Sequence, residues 1–489
     1  MTLSSAINTA TSSLQAAQTQ TALVSRNIAN ANVAGATRKY ANVVTGADGR
    51  LEVRSVAQSG DTALFRNVLN GTSDVAKSGV VAGGLDRLNE VIGDTDTNGS
   101  PAALVSALSD ALTAYRTSPA NYEVGKAAVT AAQKVVSTLN AVSSSVDDIR
   151  QDADGELKLA ASDMTQILKQ IQELNQRITA GTSAKRDVTD EIDKRDQQIQ
   201  KLSEYVGINV QTRGDNDVVI YTDSGVTMFD RTARSIDFTP TPSLKPGQSG
   251  GAFRIDGTVV TGDNAFMPIT SGKIAGLVEL RDKIAPQFQT QLDAIANNLI
   301  DAFSETDGTT TKQGLFQDAS ATVTGTGAGT AASPRSASST LAGAAGRIQI
   351  ATSALGDPTL IRDGGINGAT FKTNTDTSAT GFTARIATLI SNLGSTRGYS
   401  AAGADPTGKL VNFAASSMSW LQGTRASVLS TNEYQQTLLD KTKTTLSNET
   451  GIDLNTELTR LLDLQRSFQA SSKIITTVDQ MMAALLQAI

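Results

Sequence analysis

The chain has 489 residues and neither a histidine nor a cysteine. That double absence excludes histidine-based triads, cysteine nucleophiles, Cys/His zinc sites, thiolate-held haem or iron–sulfur centres and disulfides, which leaves carboxylate or hydroxyl chemistry, or none. Forty-two basic against 48 acidic residues give a net charge of −6 with no basic stripe, which argues against a nucleic-acid or anionic-membrane partner. Aromatics at 4% with a single tryptophan, Trp420, point to long alanine-rich helices rather than one large globular core.

From the N-terminus, Leu3, Ile7, Ala10, Leu14, Ala17, Thr21, Val24 and Ile28 alternate at four- and three-residue spacing. That is a heptad seam spanning ~39 Å of helix, and it stops at Asn30-Ala31-Asn32-Val33-Ala34-Gly35, where Asn and Gly tolerate the left-handed conformation. The last 29 residues repeat the pattern through Leu461, Leu464, Phe468, Ser471, Ile475, Val478, Met482, Leu485 and Ile489. The two ends are therefore expected to be amphipathic helices of similar length that can pair. The residues expected to carry subunit packing are Leu3, Ile7, Leu14, Val24, Ile28, Leu461, Leu464, Phe468, Ile475, Val478, Met482 and Leu485. Ala10, Ala17, Thr21 and Ser471 make both seams weak, so the ends are expected to fray in a monomer and to order among neighbouring chains.

Between the ends, a short helix is expected near Leu85 to Ile92, then one capped by Ser100 with Pro101 at its first position. Residues 121 to 180 read as one very long helix with an apolar face of Ile167, Leu168, Ile171, Leu174 and Ile178. It breaks at Gly181-Thr182, and a second helix follows from Val188 to Val206, giving an αα-hairpin. Val218 to Phe229 and Phe253 to Val260 read as β-hairpins with a Pro/Gly-rich loop between them. A helix returns at Gly272 to Ser304, residues 305 to 345 are a Thr/Ala/Gly/Ser-rich linker or small surface domain, and weak strand signals lie at Arg347 to Ala351 and Ala369 to Thr373. Helices resume at Phe382 to Leu393 and Leu410 to Ser447.

This order predicts a mainly α fold with a smaller β-containing part: terminal helices in a coiled-coil layer, a long-helix bundle and an outer β-containing domain. The expected division is a terminal-helix inner domain (1–60 and 450–489), a helical bundle domain (61–305 and 376–449) with β-hairpins near 207–265, and a small variable outer domain (306–375). The first nine residues lack the charged and apolar regions of a cleaved signal peptide, and no stretch reaches the ~18 apolar residues of a membrane span.

Candidate chemistry is thin. Asp94-Thr95-Asp96-Thr97-Asn98-Gly99 matches the first half of a calcium loop, but the twelfth position, which needs a bidentate Glu, is the apolar Val105. Gly325 to Gly329 follows no strand and opens no helix, so it reads as linker rather than phosphate loop. Asp147-Asp148 and Glu191 with Asp193 could supply an acid and a base, yet at helical spacing among Lys185, Arg186, Lys194 and Arg195 the latter read as an ion-paired face. No catalytic residue, cofactor or metal is expected.

The terminal helices carry more than periodicity. Asn27-Ile28-Ala29-Asn30-Ala31-Asn32 resembles the signature closing the first helix of bacterial flagellar axial proteins, although Val33-Ala34-Gly35-Ala36 stands where that group usually has Thr-Pro-Gly-Tyr. Glu457-Leu458-Thr459, Leu464 to Ile475 and Val478 to Met482 resemble the same group's closing helix. In the interior, Ile167 to Ile178, Asp190 to Asp196, Leu202 to Val210, Gly276 to Asp282 and Gly451 to Asn455 resemble the hook-associated protein 1 family, with Ser304 and Asp307 replacing a frequent Asn-x-x-His pair. The resemblance implies a non-enzymatic structural subunit of the bacterial flagellum, outside the cell at the hook–filament junction, exported by the flagellar type III apparatus without a cleaved signal. It also implies four partners: further copies of the chain in a tube, hook protein on one side, a second junction protein of the hook-associated protein 3 type on the other, and an export chaperone at residues 455–489. Alternatives are another axial protein, hook or flagellin, and a secreted adhesin or hydrolase.

Overall fold

The computed structural model describes residues 3–47, 49–92, 99–319, 342–376 and 378–487. It is mainly α-helical with small antiparallel sheets. The chain opens with α1 (Leu3–Asn30), a hairpin of β1 (Lys39–Thr45) and β2 (Leu51–Gln58), and then α2 (Thr62–Ile92). Next come α3 (Pro101–Thr117), α4 (Tyr122–Ser183) and α5 (Thr189–Tyr205). A four-stranded sheet follows, made of β3 (Ile208–Thr212), β4 (Val218–Thr222), β5 (Thr227–Asp230) and β6 (Thr232–Ala233) in sequence order. A three-stranded one is built from β7 (Ile236–Asp237), β8 (Arg254–Ile255) and β9 (Thr258–Val259). Helix α6 (Gly272–Glu279) runs through a π turn at Leu280–Ile284 into α7 (Ala285–Ala302). Short elements occupy the region after it: β10 (Glu305–Thr306) with β11 (Thr311–Lys312), β12 (Phe316–Asp318), α8 (Ala344–Arg347), β13 (Ile348–Ile350), α9 (Thr352–Gly356) and α10 (Thr359–Asp363). Three helices complete the chain, α11 (Ala384–Gly394), α12 (Leu410–Thr450) and α13 (Leu454–Gln487). No helix among the described residues is long and apolar enough to cross a membrane.

Helix α4 is the spine. Asn121 caps it, its side chain accepting from Glu123 N and Val124 N, and its 62 residues extend ~93 Å. Its first half buries Ala128 to Ile149 in a core shared with α2, α3, α7, α11 and α12. Its second half buries Ala153 to Ile171 in another core with α5, α6 and the two sheets. Between the cores sit two fully buried arginines. Arg150 Nε donates to Arg281 O at 3.0 Å and its guanidinium also reaches the carbonyls of Lys245 and Gln248, while Arg281 pairs with buried Asp154. Asp154 in turn accepts from Thr241 N at 2.6 Å. These groups fasten loop 239–251 to the spine: Arg281 and Asp154 neutralise each other, while Arg150 is satisfied by backbone carbonyls.

Several expectations change. The helix expected at Leu85 to Ile92 begins 23 residues earlier, at Thr62. Gly71, Gly79, Gly83 and Gly84 blur its periodicity, and packing against α6 and α12 holds it instead. Residues 369–371 form a 3₁₀ turn, not a strand, following Gly364, Gly365 and Gly368 at positive φ. Among the described residues of 306–375, Leu315, Phe316, Ala344, Ile348 and Ile361 lie in the first core. The calcium-like segment up to Asn98 and the Gly325–Gly329 stretch lie outside the described residues.

Where α2 crosses α6 the backbones nearly touch, and a Cβ built on Gly276 would lie 2.6 Å from Lys77 O. A Cβ on Gly83 meets nothing within 4 Å. Replacing helical Gly with Ala ordinarily gains up to ~1 kcal/mol. Gly83→Ala should therefore raise the thermal midpoint, whereas Gly276→Ala should lower it, by about 1–3 kcal/mol of overpacking; equal shifts in both would refute the crossing.

Candidate functional site

The two ends of the chain meet in a buried polar knot. Helices α1 and α13 pack antiparallel, with Asn27 facing Glu457, and the β1–β2 hairpin folds back along α1 so that Ser12 Oγ accepts from Leu51 N at 3.1 Å. Asn27 is 1% exposed. Its Nδ2 donates to Lys39 O at 2.8 Å and to Glu457 Oε2 at 3.0 Å, and its Oδ1 accepts from Lys39 N at 3.0 Å. Only a side-chain amide offers donors and an acceptor together at this length. Glu457, also 1% exposed, accepts from Arg38 Nε at 2.7 Å, so its charge is paired. Asp453 starts α13 by accepting from Thr456 N at 2.6 Å, and that backbone hydrogen bond holds its carboxyl below the usual range.

The knot then reaches the body through α5. Buried Lys39 forms an ion pair with Asp193 and donates to Thr37 Oγ1 at 2.8 Å and Thr189 O at 3.1 Å. Asp193 also accepts from Thr37 N at 3.1 Å and Thr37 Oγ1 at 2.7 Å. Arg26 lies 2.9 Å from Asp187 and 3.5 Å from Asp190. Burial pulls the Asp187 carboxyl upward, but hydrogen bonds from Thr189 and the charge of Arg26 outweigh it and leave it below the usual carboxylate range. On α5 desolvation pushes the Asp196 carboxyl up against the pull of Arg195, although its side chain is still 32% exposed. The turn after α1 closes through Ala36 N to Val33 O at 3.1 Å, with Gly35 at φ +75° and Gln197 Nε2 donating to Ala34 O at 3.0 Å. Glycine suits the turn because an L side chain is strained at φ +75°, and a Cβ would also make the Gln197 side chain give way.

Of the residues expected to pack subunits, Val24, Leu464 and Val478 are buried within the chain. Ile7, Leu14, Ile28, Leu461 and Ile475 are half-buried, and Phe468 and Met482 are exposed. The side chains of Leu3 and Leu485 lie outside the described residues. The buried line on α13 runs Glu457, Leu464, Ser471, Val478, one residue per heptad. Glu457 in phase with Leu464 was a readable signal, since a charge at a seam position demands a buried partner. The partners themselves, Asn27 and Arg38, lie 430 and 419 residues away. Of the carboxylates weighed as an acid and base pair, Asp193 is committed to Lys39 and Thr37.

Asn27→Ala should leave Lys39 N, Lys39 O and half of Glu457 without partners, at about 1–3 kcal/mol for each buried group. Asn27→Asp should cost more, because it sets a second carboxylate against Glu457. Limited proteolysis of the terminal helices should rank wild type, Ala and Asp in increasing susceptibility; Asp matching wild type would contradict the geometry.

Comparison with known proteins supplies the context. Residues 85–316 match the family model for the flagellar hook-associated protein FlgK helical domain, and residues 447–488 match that for the flagellar basal body rod FlgEFG protein C-terminal region. Flagellar hook-associated protein 1 of Escherichia coli (strain K12) is 27% identical over 318 residues, 62% of this chain and 57% of that protein. The protein of the same name from Salmonella typhimurium is 28% identical over 320 residues, 62% and 56% of the two chains. The matched part thus spans little more than half the length of these relatives. The structure of the flagellar hook junction protein FlgK from Burkholderia pseudomallei superposes at a TM-score of 0.42 with 18% identity, covering 52% of this chain and 46% of that one, a likeness too loose to carry an argument. On the two family matches and these relatives, the chain is similar to the flagellar hook-associated protein 1 family, with its residues 85–316 matching that family's helical domain.

Proposed function

We propose that this protein is a structural subunit of the bacterial flagellum, forming the junction zone that joins the hook to the filament. Beside the family likeness, the observation that carries the reading is the surface of α13. Leu454, Leu458, Leu462, Phe468, Ile474 and Met481 are each 40–56% exposed. At 100° per residue Leu454 and Phe468 fall on one flank of the buried line toward α1, Ile474 and Met481 on the other, and Leu458 and Leu462 face away from it. A lone chain has no use for so much uncovered apolar surface, whereas rods packed side by side cover it. Copies of the chain would therefore stand laterally in a tube, with paired terminal helices as the inner layer and the body outside. Hook protein and a second junction protein of the hook-associated protein 3 type would sit at the two ends of the zone.

The same apolar flanks suit a temporary cover before export, which makes residues 455–489 the expected site of a cytoplasmic export chaperone. The subunit would leave the cell through the flagellar type III apparatus, and its work is mechanical, without a catalytic step. Since the match at 447–488 is to the C-terminal region of rod proteins, hook protein is the nearest competing reading. The match at 85–316 and the 62-residue α4 favour the junction protein.

Deleting the gene should give cells with hooks but no filaments and filament monomers shed into the medium. A chain lacking its last 20 residues should fail both to bind the chaperone and to restore filaments. Normal filaments on the deletion strain would reject the reading.

A further inference from the structure

The terminal rod, made of α1, the β1–β2 hairpin and α13, joins the body without sharing an apolar core with it. Neither core includes a residue of those elements among the described residues. Polar contacts cross the joint, among them Arg26 to Asp187, Thr37 and Lys39 to Asp193, and the Gln197 amide to Ala34 O. The chain passes between rod and body at two short segments, 59–61 and 451–453. Arg38 N donates to Thr450 O at 2.9 Å beside the second of them.

This composition has a mechanical consequence. Apolar burial is non-directional and would tolerate sliding but resist separation. Charged hydrogen bonds are directional and short, so a joint built from them holds one angle and then lets go. Asp193 is its centre, because one carboxylate takes the Lys39 ammonium together with the Thr37 amide and hydroxyl. All three donors belong to residues 37–39, where the segment after α1 enters the hairpin. The Asn27–Glu457–Arg38 network lies wholly within the rod and does not depend on Asp193.

We infer that the joint is a latch: Asp193 fixes the angle between rod and body, and its release lets the rod swing as a unit about residues 59–61 and 451–453. Such a subunit meets different neighbours at its two ends by changing one angle, with no core repacked. The latch rests on the geometry of the joint and stands or falls separately from the flagellar reading.

A chain without cysteines permits clean labelling. Spin labels on Ala22→Cys and Lys201→Cys, both at exposed positions of α1 and α5, report the angle in the full-length protein. With Asp193 intact, electron–electron distance measurements should give one narrow distance. Asp193→Asn should broaden it and add new distances while helicity and the melting of the body stay unchanged. Arg26→Gln, a milder change at a half-buried pair, should broaden it less, and about 1 M salt should change that result little because the remaining Lys39–Asp193 pair is buried. The latch is overturned if the distance stays single in both variants, if it is already broad with Asp193 intact, or if Asp193→Asn lowers the helicity or melting of the body. Filament loss in the deletion strain would be unaffected by any of these results, so the two readings fail independently.

Discussion

A charge taken out of water must find a partner, and this fold is arranged around the places where that requirement is met. Glu457 and Asn27 sit in the line where two terminal helices touch, each satisfied in part by the other and in part by Arg38 or the Lys39 backbone. Lys39 and Asp193 impose the same condition between the terminal segments and α5. Apolar residues could hold these helices together in many registers. The buried polar groups select one, because a slip of α13 by a single turn would leave the Glu457 carboxylate without Asn27 and Arg38. At the centre of the molecule Arg150, Asp154 and Arg281 play a comparable part, fixing loop 239–251 at the boundary between the two apolar cores of α4.

The arrangement suits a subunit that is completed by its neighbours. The body has two apolar cores of its own along a helix of ~93 Å. The rod has only a narrow seam containing Ala10, Ala17 and Ser471, and it displays Leu458 and Leu462 outward. Small seam residues let the helices approach closely but bury little, so the far end of the rod is weakly held within one chain, while the knot secures the near end. The sequence-based expectation of fraying ends took no account of the knot or of the hairpin that covers α1. Including them confines the expected fraying to the end away from the body.

How much of this was legible beforehand depended on distance along the chain. The terminal helices, α4 and α5 announced themselves through apolar spacing, caps and the Gly181 break, all local signals. So did the strands at 218–222 and 227–230, where Val218-Val219-Ile220 precedes a Gly225 turn. Helix α2 was largely hidden, because four glycines dilute its pattern and its support comes from other elements. The hairpin at 39–58 went unread, its alternation being interrupted by a bulge at Asn42/Val43. The knot was visible only in fragments. Asn27 and Glu457 each lay inside a stretch that resembled flagellar axial proteins, but nothing local says that they touch. The Lys39–Asp193 pair, 154 residues apart, left no local trace at all.

The central claim is that the two ends of the chain are organised by this knot rather than by their apolar seams. Hydrogen–deuterium exchange on the full-length monomer tests it most directly. Within the rod, amides of residues 23–28, 38–41 and 456–464 should exchange slowest, with protection falling steadily toward residues 3–10 and 478–487. Protection that is uniform along both helices, or greatest at the end away from the body, would contradict it.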